Sequence, residues 1–156
     1  MPLPKIASKT VGQVTELTLI AKLKPGVGPA YRQALAAAQK NPSALLGQLA
    51  TIHFARWVLF DNDTRLMFSS NFDGELIAYL RDFSVKMPAQ MDGAFGACEG
   101  YPEKGCKDFE AFTQFVYDRQ VETNVFYAAY GDLTVKTILK AGRMKKLADD
   151  FVKELQ

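Results

Sequence analysis

The sequence is poor in the residues from which most reactive centres are built. It contains one histidine, His53, and two cysteines, Cys98 and Cys106, in 156 residues. Without a second pair of cysteines or another imidazole, a structural zinc site lacks ligands. The thiols flank a turn-rich stretch with Gly100, Pro102 and Gly105. In a reducing compartment such a pair stays free, and a local disulfide needs a fold-back that spacing alone does not impose. A charge of one sign is lacking too. Nineteen basic against seventeen acidic side chains leave +2, too slight a bias for nucleic acid or an acidic membrane surface. No apolar run approaches the ~20 residues of a membrane helix. Met1-Pro2-Leu3-Pro4-Lys5 lacks the apolar core of a secretory leader, so the cytoplasm is the expected compartment. Glycine-rich phosphate loops, nucleophile elbows, metal-ligand spacings and internal repeats are missing as well.

What remains is the composition of an ordinary globule, 48% hydrophobic and 23% charged, of a size for one domain over residues 1–156. Val14 to Leu23 alternates, with Leu17, Leu19 and Ala21 on one face and Thr18, Ile20 and Lys22 on the other, which predicts a strand. Lys24-Pro25-Gly26 ends it, and Val27 to Lys40 reads as an alanine-rich helix closed by Asn41-Pro42. A short turn over 44–49 packs Leu45 and Leu46. Thr51 to Phe60, rich in aromatic and β-branched residues, is the strongest strand. The tight turn Asp61-Asn62-Asp63 makes Arg65 to Phe72 its antiparallel neighbour. Asp73 is placed to cap the helix of Leu76, Ile77, Leu80 and Phe83. Residues 85–123 read as an insertion: a short helix over Pro88 to Ala97 that buries Met91 and Phe95, a loop with the cysteines, and a helix capped by Asp108 that aligns Phe109, Phe112, Phe115 and Val116. Asn124 to Tyr130 reads as a last strand. Gly131-Asp132 opens a final helix with Val135, Ile138, Leu139, Leu147, Phe151 and Leu155 at helical spacing.

Without the insertion the order is βαββαβ, which predicts an α+β fold of the ferredoxin-like plan: an antiparallel sheet with helices on one face and a C-terminal helix. The second strand carries apolar groups on both sides, and burying each is worth about 1.5–3 kcal/mol. A partner chain, in a homodimer, is therefore expected over the other face.

The strand LTLIAKL with Lys24-Pro25-Gly26 and the alanine-rich helix, then His53-Phe54-Ala55-Arg56-Trp57 and Phe68-Ser69-Ser70-Asn71-Phe72-Asp73-Gly74, resemble the dimeric α+β barrel superfamily. In that superfamily two ferredoxin-like sheets pack face to face, and members include cofactor-free monooxygenases and haem enzymes. The resemblance implies a homodimer with a pocket between sheet and helices for a small apolar or aromatic organic molecule, in an oxidoreductase related to monooxygenases or peroxidases. A non-catalytic binding or interaction module of the same fold is the alternative. Haem is a cofactor of some members, but the usual proximal histidine lies on a helix and His53 falls in a predicted strand. Cys98, Tyr101 or a methionine would have to substitute.

Strand alternation puts His53 and Trp57 on one face, about 13 Å apart along the strand, and Arg56 on the other. His53 reads either as a proton shuttle or ligand anchor at the mouth of a cavity between sheet and helices, or as a half-buried histidine bonded to a backbone carbonyl. With Asn71 it forms the candidate catalytic pair, with Trp57 positioning the substrate, although Asn71 suits a turn and Trp57 suits a core equally. Arg56 is expected to pair with Asp73, Glu75 or a partner's acid, or else to bind a substrate carboxylate. Tyr101 and Tyr127 stand for an aromatic set that lines a pocket or fills a core. Cys98-Glu99 is a candidate thiol and base without a basic sequence neighbour. The run Lys136, Lys140, Arg143, Lys145, Lys146 reads as a solvated helix face.

Overall fold

The computed structural model describes residues 7–155. Its fold is α+β, one open antiparallel sheet with helices packed on one face. The strands are β1 (Thr10–Val11), β2 (Val14–Lys22), β3 (Ile52–Phe60) and β4 (Arg65–Asp73), in the spatial order β1-β2-β4-β3. After β2 the chain turns at Gly26 (φ 77°) into α1 (Gly28–Ala38), then α2 (Pro42–Leu46). β3 and β4 are joined by Asp61, Asn62 and Asp63, all left-handed at φ 51°, 53° and 61°. Short side chains that bond locally tolerate that region best.

Alternation along the long strands builds the core. Leu17, Leu19, Leu66, Phe68 and Phe72 are buried, and Ala55, Trp57 and Leu59 of β3 pack beside them. Over this face lie α3 (Leu76–Lys86), α4 (Pro88–Phe95) and α5 (Phe109–Tyr117). The Phe68 ring sits 4.8 Å from Trp57 and 5.3 Å, edge-on, from Phe95, and Phe72 stacks on Tyr79 at 3.8 Å. Such pairs add about 0.5–1.5 kcal/mol each to the burial itself. Within the insertion, Met91 and Phe95 are buried and Asp108 accepts from the Ala111 N–H, as the sequence predicts.

Three expectations are corrected. Residues 124–130 are not a strand. The outer edge of β2 is already occupied in pieces: β1 at one end, Gln120 bridging Leu19, and Cys98 bridging Leu23. Ile20 N–H donates to Arg119 O, Val121 N–H to Thr18 O and Glu99 N–H to Lys22 O. A run rich in β-formers therefore finds no free edge on β2 to join, so the sheet is compatible with a ferredoxin-like plan but has no regular strand over 124–130. The final helix, α6 (Val135–Glu154), starts later than expected and buries none of its residues. Asp73 ends β4 and does not cap α3, whose N-cap is Glu75 with no side-chain bond.

Candidate functional site

Across the sheet face that no helix of the described residues covers, the uncovered face, the side chains form rows. Lys22, Arg65 and Phe60 lie opposite one another; then Ile20, Met67 and Val58; then Thr18, Ser69 and Arg56; then Glu16, Asn71 and Phe54. Phe54 is 76% exposed and Val58 is also exposed. Among the described residues Arg56 has no ion pair. The predicted partners Asp73 and Glu75 do not reach it, and it lies exposed instead of buried.

A β-bulge between Ile52 and Phe54 decides where the histidine goes. The register steps from Ile52↔Phe72 to Phe54↔Asn71, so β3 spends two residues where β4 spends one. Alternation is reset there. His53 therefore does not share Trp57's face; it turns to the uncovered side, where its Nε2 meets Asp73 Oδ1 at 2.7 Å. Both side chains are nearly buried, 10% and 13% exposed. The other oxygen, Asp73 Oδ2, accepts the Val135 N–H at 2.9 Å. One carboxylate thus orients the imidazole and ties down the first amide of α6. A histidine held by a carboxylate in this way is an arrangement suited to proton transfer.

Glu16, which the sequence reading passed over, is buried on this face. Its Oε1 accepts the Lys9 N–H at 2.9 Å and its Oε2 the Thr123 hydroxyl at 2.7 Å. Gln13 N–H donates to Gly131 O at 2.7 Å. A Cβ on Gly12 (φ 61°) would stand 2.6 Å from that oxygen, so the close approach requires glycine. These bonds lay residues 123–135 along the rim of the uncovered face. Tyr127 (82% exposed) and Tyr130 (71%) project from this segment.

The predicted site residues are thus divided. His53, Asn71 and Arg56 share the uncovered face. Trp57 lies on the core face against Phe68 and Phe95, its Nε1 buried without a hydrogen bond. Tyr101 belongs to the helical layer; its hydroxyl donates to Asp92 Oδ1 at 2.7 Å and its ring meets Phe112 and Phe115 edge-on. Between sheet and helices, the space bounded by Leu17, Leu19, Phe68, Phe83 and Phe112 admits not even a water-sized molecule. A surface pocket of about 270 Å³, lined by Ser8, Thr10, Thr15, Glu75 and Leu76, opens at the sheet end.

Cys98 and Cys106 are free and buried. Burial pushes both thiols up to about 11, so neither is a thiolate near neutrality and Cys98-Glu99 is no nucleophile–base pair. Burial likewise raises Tyr31 and Tyr79, and for Tyr101 the bond to Asp92 adds to the effect. Among the described residues no group of histidine, cysteine, aspartate and glutamate is arranged to hold a metal ion. Neither a protein-family model nor a curated protein matches the chain.

Proposed function

We propose that the protein is an interaction module that associates with a second copy of itself through the uncovered sheet face. The observation that supports this most is Phe54, 76% exposed near the start of the edge strand β3, with Val58, Ile20 and Met67 two rows further on and Arg56, without an ion pair among the described residues, in the row between. Covering one such phenylalanine is worth about 1.5–3 kcal/mol, and a monomer forgoes that gain. The likeness of the HFARW and SSNFDG segments to the dimeric α+β barrel superfamily points the same way. Sedimentation velocity tests it: the native chain runs as a dimer at micromolar concentration and Phe54→Glu runs as a monomer with unchanged circular dichroism. A native chain that stays monomeric at 100 µM or so, about a hundredfold above a micromolar Kd, refutes it.

A second reading rests on the His53–Asp73 pair. On it, a small aromatic or apolar organic molecule binds at the uncovered face, His53 moves protons, and Asn71 and Arg56 orient an anionic group, in an oxidoreductase of the monooxygenase or peroxidase-related kind. Native mass spectrometry reads oligomeric state and retained ligand together. If His53→Ala and Asn71→Ala both leave ligand retention and turnover unchanged, those roles fail.

A further inference from the structure

The helix α6 and the uncovered face are two unpartnered surfaces of one chain. We propose that they answer each other between copies: the C-terminal half of α6 of one copy lies across the uncovered sheet face of the other, in a reciprocal exchange of helical arms. The inference rests on the self-association reading and names the segment that does the covering.

At about 100° per residue, Val135, Ile138, Leu139 and Gly142 form a stripe along the first half. Met144, Leu147, Ala148, Phe151 and Leu155 form another along the second half, on the opposite side. No single surface buries both. A helix of 20 residues extends about 30 Å, the width of a small domain. Its first amide is fixed to Asp73 beside His53, at the rim of the face in question. The arm therefore starts at the rim of the sheet face that it would cover, and its apolar stripe changes sides about halfway along.

On the uncovered face of the long strands the carboxylates are Glu16 and Asp73, and both are taken, by Lys9 and Thr123 and by His53 and Val135. Arg56, midway along the edge strand β3, is left without an ion pair among the described residues. Along one border of the second stripe run Asp150 and Glu154, neither of them in an ion pair among the described residues, whereas Asp149 is held by Lys145. The exposed guanidinium and the exposed carboxylates are complementary.

Phe54, Tyr127, Tyr130 and Phe151 are 76%, 82%, 71% and 64% exposed, and aromatic side chains bury roughly 150–250 Å² each. With Leu147 and Leu155 the patch approaches the roughly 800 Å² that each partner brings to a stable interface. Because each copy both gives and receives an arm, the exchange closes as a two-fold dimer and leaves no sticky end.

The test uses the full chain. Phe54→Cys is mixed with tagged chains carrying Leu147→Cys, Phe151→Cys or Leu155→Cys. All four positions are exposed and the native thiols are buried, so the introduced thiols are the accessible ones. Mild oxidation is expected to give a heterodimer joined from position 54 to at least one helix position. Arg56→Glu is expected to raise the dimer dissociation constant at least tenfold, and Arg56→Glu combined with Asp150→Arg and Glu154→Arg to recover most of the loss. A dimer that forms no 54-to-helix crosslink with any of the three overturns the arm exchange while self-association stands. A monomer overturns both.

Discussion

Replacing Asp92 by alanine removes a single oxygen that serves two donors. Oδ1 accepts the Tyr101 hydroxyl at 2.7 Å and the Cys106 N–H at 2.8 Å, and so ties α4 to the loop that follows it. Cys106 is fully buried, so its amide has no water to turn to. Gly105, at φ 71°, packs its Cα so close that a Cβ there would lie 2.5 Å from the carboxylate. Bonds to a charged acceptor are worth about 1.5–3 kcal/mol each, and an orphaned buried donor loses its hydration as well. Asp92→Ala is therefore expected to cost about 3–5 kcal/mol, a large part of the 5–15 kcal/mol typical of a domain. Tyr101→Phe removes one donor, leaves the amide bonded, and is expected to cost about 1.5–2 kcal/mol. Urea unfolding at fixed protein concentration reads both, followed by the fluorescence of the single tryptophan, Trp57, which packs on Phe68 and Phe95. Asp92→Ala within 1 kcal/mol or so of the native chain, or Tyr101→Phe as costly as Asp92→Ala, refutes the shared-acceptor account.

Asp73→Ala frees both His53 Nε2 and the Val135 amide; losing about 1–2 kcal/mol at that amide speeds its hydrogen exchange roughly 5- to 30-fold, and unchanged exchange at Val135 contradicts the link. At Asn62, φ 53° penalises β-branched residues, so Asn62→Val is expected to be at least about 1 kcal/mol less stable than Asn62→Gly; equal stabilities by urea unfolding would dismiss backbone strain there. The buried thiols, held at about 11 against an ordinary 9, keep protons that the unfolded chain releases. That stability is whole below pH 9 and fades towards pH 11, by roughly 2.7 kcal/mol per thiol and on the order of 5 kcal/mol for the pair. Cys98→Ala/Cys106→Ala should flatten this alkaline slope, and an unchanged slope assigns it elsewhere. The same burial predicts that a thiol reagent at pH 8 labels neither cysteine until the protein unfolds; prompt labelling of the native protein contradicts the burial.

The long strands were legible because alternation is local: Leu17, Leu19 and Ala21 against Thr18, Ile20 and Lys22 announce both the strand and its two faces before any partner is known. The helix over Phe109–Tyr117 was legible for the same reason, since Asp108 and the spacing of Phe112, Phe115 and Val116 lie within two turns. His53 was misdirected because a bulge is one extra residue judged against a partner strand, and β3 alone contains no mark of it. Asp73 was assigned to the nearest helix, while its carboxylate serves Val135, 62 residues away. Residues 124–130 carry every strand propensity and still form none, since propensity cannot create a sheet edge that Gln120 and Cys98 already occupy.

Local chemistry by itself therefore set the α+β class, the three long strands, the turn at Asp61–Asp63 and the helices of the core. The tertiary structure alone decided which face His53 occupies, that the space beneath the sheet is filled, and that α6 ends with its apolar side chains uncovered. Periodicity along a chain states which residues prefer to be buried. What buries them, or fails to, is settled only when distant segments compete for the same surface.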